Sequence, residues 1–126
     1  VAGTGAPVLQ PMRFYRGRPI FSGLGNFVFH TARAEIYDRL EIPVWHGAVA
    51  TCHISPGSND CEVEILPFLA GRATDFGGGP APAPQVAGPE DSQRIFAHLT
   101  SGLSASGRAK VRLAAAPSRT SLNTRS

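Results

Sequence analysis

"RGRPIFSGLGNFVFH", residues 16–30, sets Gly17, Gly23 and Gly25 among apolar side chains and leaves Asn26 alone between Gly25 and Phe27. Strand alternation puts Ile20, Ser22 and Leu24 on one side and Phe21 and Gly23 on the other. The run therefore reads as a strand that ends in a glycine-permitted bend. Its partner lies just upstream in "PMRFYRGRPIF": Met12 to Tyr15 runs out, a tight turn forms around Gly17, and Ile20 to Leu24 returns, with Pro19 tolerated at a strand start or edge. An Asn following Gly reads first as an Asx-type turn former or a left-handed residue.

Beyond the bend, "TARAEIYDRLEI" (31–42) spaces Ala34, Tyr37 and Leu40 as on one helix face before Pro43 stops it. "VWHGAVATCHIS", the turn "PGSND" and "CEVEILPFL" (44–69) then give a second hairpin, in which Val63 and Ile65 alternate with Glu62 and Glu64. Closing that hairpin at Ile54 and Cys61 sets Val63 opposite Cys52. "GPEDSQRIFAHLTSGL" (88–103) opens a helix with Pro89 in its first turn and Glu90 and Asp91 where the helix dipole favours anions. Ile95, Phe96, Leu99 and Leu103 share its apolar face. "AKVRLAA" supplies a last strand with Val111 and Leu113 on one side. The predicted fold class is α+β, mostly antiparallel hairpins with one or two helices.

The 126 residues suffice for one domain with one core. We divide it into a hairpin-rich portion (1–76), a Gly/Pro-rich linker or loop (77–88), the closing helix and strand of the same domain (89–116) and a tail (117–126) with too little to bury and expected to be disordered. Net charge is +3, carried by scattered arginines and one lysine. Scattered charge solvates a surface and makes no nucleic-acid footprint; at Arg13, Arg16 and Arg18 turn solvation outweighs a phosphate contact. There is no apolar run near the ~20 residues of a membrane span.

Candidates for chemistry are few. His30, His46, His53 and His98 have no metal-binding spacing, and His46 and His53 fall on opposite strand faces. Cys52 and Cys61 lack a C-x-x-C spacing, and their register is wrong for a direct disulfide. Gly23 and Gly25 begin a G-x-G whose third dinucleotide-loop glycine is replaced by Val28. Glu62 with Glu64, and Glu90 with Asp91, read as solvation and dipole pairing ahead of general acid and base. No residue is assigned a catalytic role, and no metal ligand is assigned.

"VLQPMRFYRGRPIFSGLGNFVF" (8–29) nevertheless resembles a stretch of the CapA-type capsule and poly-γ-glutamate biosynthesis proteins of the calcineurin-like metallophosphoesterase superfamily. There a G-H-H-P-H-V-L-Q metal motif leads through a Y-K-G-K/R-P-I-F turn into Y-S-L-G-N-F-x-F; here Ser22 and Gly23 stand at the Tyr-Ser positions. The likeness continues more weakly through "AEIYDRL", "WHGAVATCHI", "CEVEILPFLAGRA" and "RIFAHLTSGLSASGRAKVRL". It implies the C-terminal portion of a metallophosphoesterase-like sandwich, in keeping with a chain that starts at Val1 without Met.

By the same resemblance Gly25, Asn26 and Phe27 line or brace the active-site cleft of an intact family member, while Thr4, Gly5 and Pro7 occupy degenerate histidine positions of the metal motif. Threonine is a weak ligand and proline has no side-chain donor, so no cofactor is expected on this chain, although the family uses divalent metal ions. Family members are often membrane-anchored and extracytoplasmic. The implied partner is the missing N-terminal portion of the domain or a self-association partner, and the surfaces expected to be left bare are strand 20–29 and the helix face from Ile95 to Leu103. A free-standing structural or interaction module that has lost its chemistry is the alternative.

Overall fold

The computed structural model describes residues 1–5, 7–30, 33–73 and 83–114. Strand β1 (Arg13–Tyr15) pairs antiparallel with β2 (Arg18–Ile20), Tyr15 facing Arg18 across the turn. Arg16 and Gly17 form that turn with φ of 51° and 76°. Two successive positive values are the signature of the primed turn whose twist matches its strands. The returning strand is shorter than expected: β2 stops at Ile20, and Phe21 and Leu24 continue only through single bridges to Ala2 and Leu9. Gly25 bends the chain at φ 74°, and β3 (Val28–His30) leaves in a new direction to pair in parallel with β6 (Gly71–Ala73).

Helix α1 (Ala34–Arg39) lies between β3 and the long hairpin. Ala34 is buried and Tyr37 meets the ring of Phe29 edge-on, but Leu40 caps the helix and is 60% exposed instead of sharing the buried face. The hairpin itself, β4 (His46–Ile54) and β5 (Cys61–Leu69), has the register read from the sequence, with Ile54 opposite Cys61 and Cys52 opposite Val63. Along β5 the odd positions Cys61, Val63, Ile65 and Pro67 are buried and Glu62 is exposed. One face is thus covered and the other wet, as in a typical antiparallel sheet.

The far edge of β5 takes two partners in succession. Val63–Ile65 pair in parallel with β8 (Val111–Leu113), and Phe68–Leu69 pair antiparallel with β7 (Gln85–Val86). Pro67 sits at the changeover, its carbonyl accepting from Ala87 N–H while the N–H it lacks falls in the gap between the two partners. A proline is tolerated inside β5 for that reason. β7 also corrects the linker expectation: residues 85 and 86 of the 77–88 segment belong to the sheet. Positions 77–82 and the expected tail lie outside the described residues.

Helix α2 (Pro89–Thr100) starts with Pro at its first turn and Glu90 and Asp91 beside its N-terminal amides. It ends before Leu103, which packs from the following turn. One further turn, α3 (Ala105–Arg108), had no strong sequence signal; the Ser104 hydroxyl caps it by accepting from Gly107 N–H at 3.2 Å. Three helices are therefore described where one or two were expected.

The core lies between the covered face of the β4–β5 sheet, α2 and the N-terminal segment. Met12, Val63, Ile65 and Leu99 are 0% exposed and Ile95 is 1% exposed. Burying each such side chain contributes roughly 1.5–3 kcal/mol. The chain covers its own helix, with Ile95 and Leu99 buried, and covers Phe21, which is 6% exposed, whereas Phe27 in the 20–29 stretch stays 49% exposed. The class is α+β, with three of the five strand pairings among the described residues antiparallel. No helix among the described residues is long and apolar enough to cross a membrane.

Candidate functional site

The N-terminal segment folds back along the chain that follows β2. Gly3 N–H donates to Phe21 O at 2.6 Å and Gln10 N–H to Gly23 O at 3.0 Å. These bonds hold Thr4, Gly5 and Pro7 across from the glycine bend. Between them opens a cavity of about 410 Å³ whose lining includes Gly3, Thr4, Gly5, Pro7, Gly25, Asn26 and Phe29. The singled-out positions 4, 5, 7, 25 and 26, two of the groups far apart in sequence, thus share one concave surface. Phe27 does not join them: its side chain is 49% exposed and rests on Phe68 with ring centroids 4.9 Å apart.

Asn26 is the hub of this surface. Its Nδ2 donates to Pro7 O at 2.7 Å and to Val44 O at 2.9 Å, which uses both amide hydrogens. Among the described non-glycine residues only Arg16 and Glu41 have positive φ. The turn-former reading of Asn26 is therefore corrected: the side chain is a clamp between two distant carbonyls, not a local turn. Its acceptors lie 19 and 18 residues away in sequence, so no local pattern announces them.

The backbone around the clamp is packed to contact. Gly25 and Gly47 form an antiparallel bridge, and Ala48 N–H donates to Leu24 O at 2.9 Å. A Cβ on Gly25 would overlap His46 O, and one on Gly47 would overlap Asn26 O. Trp45, next to Val44, donates from its indole Nε1 to Asp38 Oδ1 at 3.0 Å and meets Phe29 edge-on, joining the bend to α1.

What this cavity can do chemically is limited by its side chains. Among the described residues no carboxylate, imidazole or thiol lines it, and the Thr4 hydroxyl has no such base beside it in the lining. These side chains are also poorly suited to a divalent ion. Gly5 offers no side chain, Pro7 no donor, and Thr4 one weakly ligating hydroxyl; among the described residues no group of three or more His, Cys, Asp or Glu is placed to hold a metal.

The remaining candidates are dispersed. His46 Nε2 lies 3.8 Å from Asp91 Oδ1, His53 Nε2 lies 3.5 Å from Glu64 Oε1, and His98 Nε2 is 2.9 Å from Leu9 O. The side chain of His30 lies outside what is described. Glu64 accepts from Arg112 Nε at 2.8 Å, and that hydrogen bond, reinforced by the guanidinium charge and by His53, holds its carboxyl below the ordinary range. Glu90 pairs with Arg94 at 2.7 Å one helical turn on. These carboxylates serve ion pairs, in line with the solvation reading. Arg16 stacks over Tyr15 with its guanidinium 5.3 Å from the ring centre.

Cys52 and Cys61 are both free thiols, the first exposed and the second buried. Partial withdrawal from water, then the charge and hydrogen bonding of Cys61, push the Cys52 thiol up. No family model matches the chain, and no curated protein or solved structure matches it either.

Proposed function

We propose that the chain is the C-terminal portion of a CapA-like capsule or poly-γ-glutamate biosynthesis protein of the metallophosphoesterase superfamily, without catalytic activity by itself. The observation that supports this reading is the convergence of Thr4, Gly5, Pro7, Gly25 and Asn26 on one cavity. Those are the positions that the family's metal motif and its G-N-F bend would occupy. The lack of ionisable groups among the described lining residues accords with a wall that braces a cleft whose chemistry is supplied by another segment. Its partner in this reading is the catalytic portion carrying the metal ligands.

A mixing experiment tests it. The chain is combined with a CapA-type protein truncated before its V-L-Q segment, and complex formation is followed by size-exclusion chromatography with light scattering. A one-to-one complex is expected; separate elution of the two components overturns the reading.

One observation favours the alternative of a free-standing, non-catalytic module. Ile95 and Leu99 are closed in by the chain's own sheet, so α2 has no bare apolar face awaiting a missing half. A monodisperse monomer that binds no hydrophobic dye supports this second reading, and dye binding with concentration-dependent association supports the first.

A further inference from the structure

Cys52 stands opposite Val63, and Ile54 opposite Cys61. Residues facing one another across an antiparallel pair share a sheet face, so the two cysteines lie on the same side of the hairpin as diagonal neighbours. Diagonal neighbours are spaced more widely than the Cβ separation of about 3.5–4.5 Å that a disulfide requires. Rotation about each Cα–Cβ bond can nonetheless turn the two sulfurs toward one another across that diagonal. Both also line a single cavity of about 510 Å³, walled by Pro19, Phe21, Leu24 and Ile54.

Two thiols on one sheet face and in one cavity, set too wide to bond directly, suit one atom placed between them. A metal–thiolate bond is about 2.3 Å, so a linear two-coordinate ion asks for sulfurs roughly 4.6 Å apart. Soft sulfur ligands select monovalent copper over hard cations. A tetrahedral zinc site would need further ligands, and among the described residues no third His, Cys, Asp or Glu is grouped with this pair. Arg18 and the N-terminal Val1 also line the cavity, and none of the described lining residues brings a side-chain oxygen that would favour a hard ion.

We propose that Cys52 and Cys61 form a two-thiolate binding site for a single Cu(I) ion in the wall of this cavity. On binding, both S–H bonds break, two S–Cu bonds form, and two protons pass to the buffer; copper and sulfur keep their oxidation states. The site stands apart from the Asn26 cavity and does not depend on the CapA-like reading.

The reduced full chain is titrated anaerobically with Cu(I) supplied as its bicinchoninate complex, reading loss of the chelator's colour and growth of the ultraviolet thiolate-to-copper band. One ion withdrawn per chain is expected, with loss of withdrawal in Cys52→Ser and in Cys61→Ala and none in His53→Ala, which alters the opposite sheet face. Should Cys61→Ala fail to fold by circular dichroism, the exposed Cys52→Ser variant decides alone. The proposal is overturned if the wild-type chain withdraws no copper, or if Cys52→Ser withdraws it as well as wild type does.

Discussion

Gly25 and Gly47 meet back to back across an antiparallel bridge, so close that neither position has room for a methyl group. The obstruction at each is backbone, the carbonyl of His46 for one and that of Asn26 for the other. Backbone cannot rotate out of the way as a side chain can. Gly47→Ala is expected to lower stability by about 3 kcal/mol, the upper end for an overpacked site. Gly25→Ala should cost at least as much, since its φ of 74° adds strain. Gly57→Ala is the control: φ is 78° there but nothing lies within 4 Å, so about 1 kcal/mol is expected. Urea denaturation of the three variants checks the order.

Asn26 makes two hydrogen bonds to distant carbonyls, and Asn26→Ala should lose about 2 kcal/mol at the usual worth of such bonds. Asn26→Gly is expected to be no better, because the residue does not need a left-handed backbone. Asn26→Asp should be the most damaging, as it turns a carboxylate oxygen toward the carbonyls of Pro7 and Val44. A glycine variant melting at the wild-type temperature would show that the clamp contributes nothing.

Leu99 is 0% exposed and Leu40 is 60% exposed. Leu99→Ala is expected to cost about 3 kcal/mol, within the range for a truncated core leucine, and Leu40→Ala less than about 0.5 kcal/mol. Denaturant midpoints of the pair test whether α2 is fastened to its own sheet.

The carboxyl of Glu64 is held below its ordinary value chiefly by the Arg112 hydrogen bond. A depressed acid contributes stability that is present above the unfolded-state value, about 4.3 for Glu, and is lost as pH falls through the folded-state value. Arg112→Gln should therefore be less stable than wild type at pH 7, and the gap should narrow as pH falls below the unfolded-state value and through the lower folded-state one, where the carboxyl takes up its proton. Urea melts of both proteins at several pH values read this directly; an unchanged gap at low pH would remove Glu64 as the cause.

Manganese, a hard oxygen-seeking ion, should find no tight site, since the residues at positions 4, 5 and 7 are Thr, Gly and Pro. Calorimetric titration is expected to show no stoichiometric binding in the micromolar range. A saturable one-to-one isotherm would contradict the chemistry assigned to this cavity.

The parts of the fold legible beforehand are those specified by neighbours in sequence. Arg16-Gly17 sets one hairpin and the alternation of Cys61, Val63 and Ile65 sets the register of the other. Pro89, Glu90 and Asp91 mark the start of α2. What escaped was decided at a distance: the parallel pairings of β3 with β6 and of β5 with β8, and the short β7 inside a Gly/Pro-rich stretch that reads locally as a loop. Asn26 was noticeable as an oddity, yet its partners Pro7 and Val44 follow from tertiary contact alone. Gly47 gave no signal at all, since its φ is ordinary and only the approach of Asn26 makes a side chain impossible there.

The parallel pairing of β8 with β5 also orders events during synthesis. Arg112 meets Glu64 48 positions along the chain, so the far edge of β5 waits, with its hydrogen-bonding groups unmatched, until nearly the whole described chain has emerged from the ribosome. Closing so long a loop costs entropy before any contact repays it. The nascent hairpin therefore passes through an interval in which Val63 and Ile65 are offered along an open edge to any neighbouring chain.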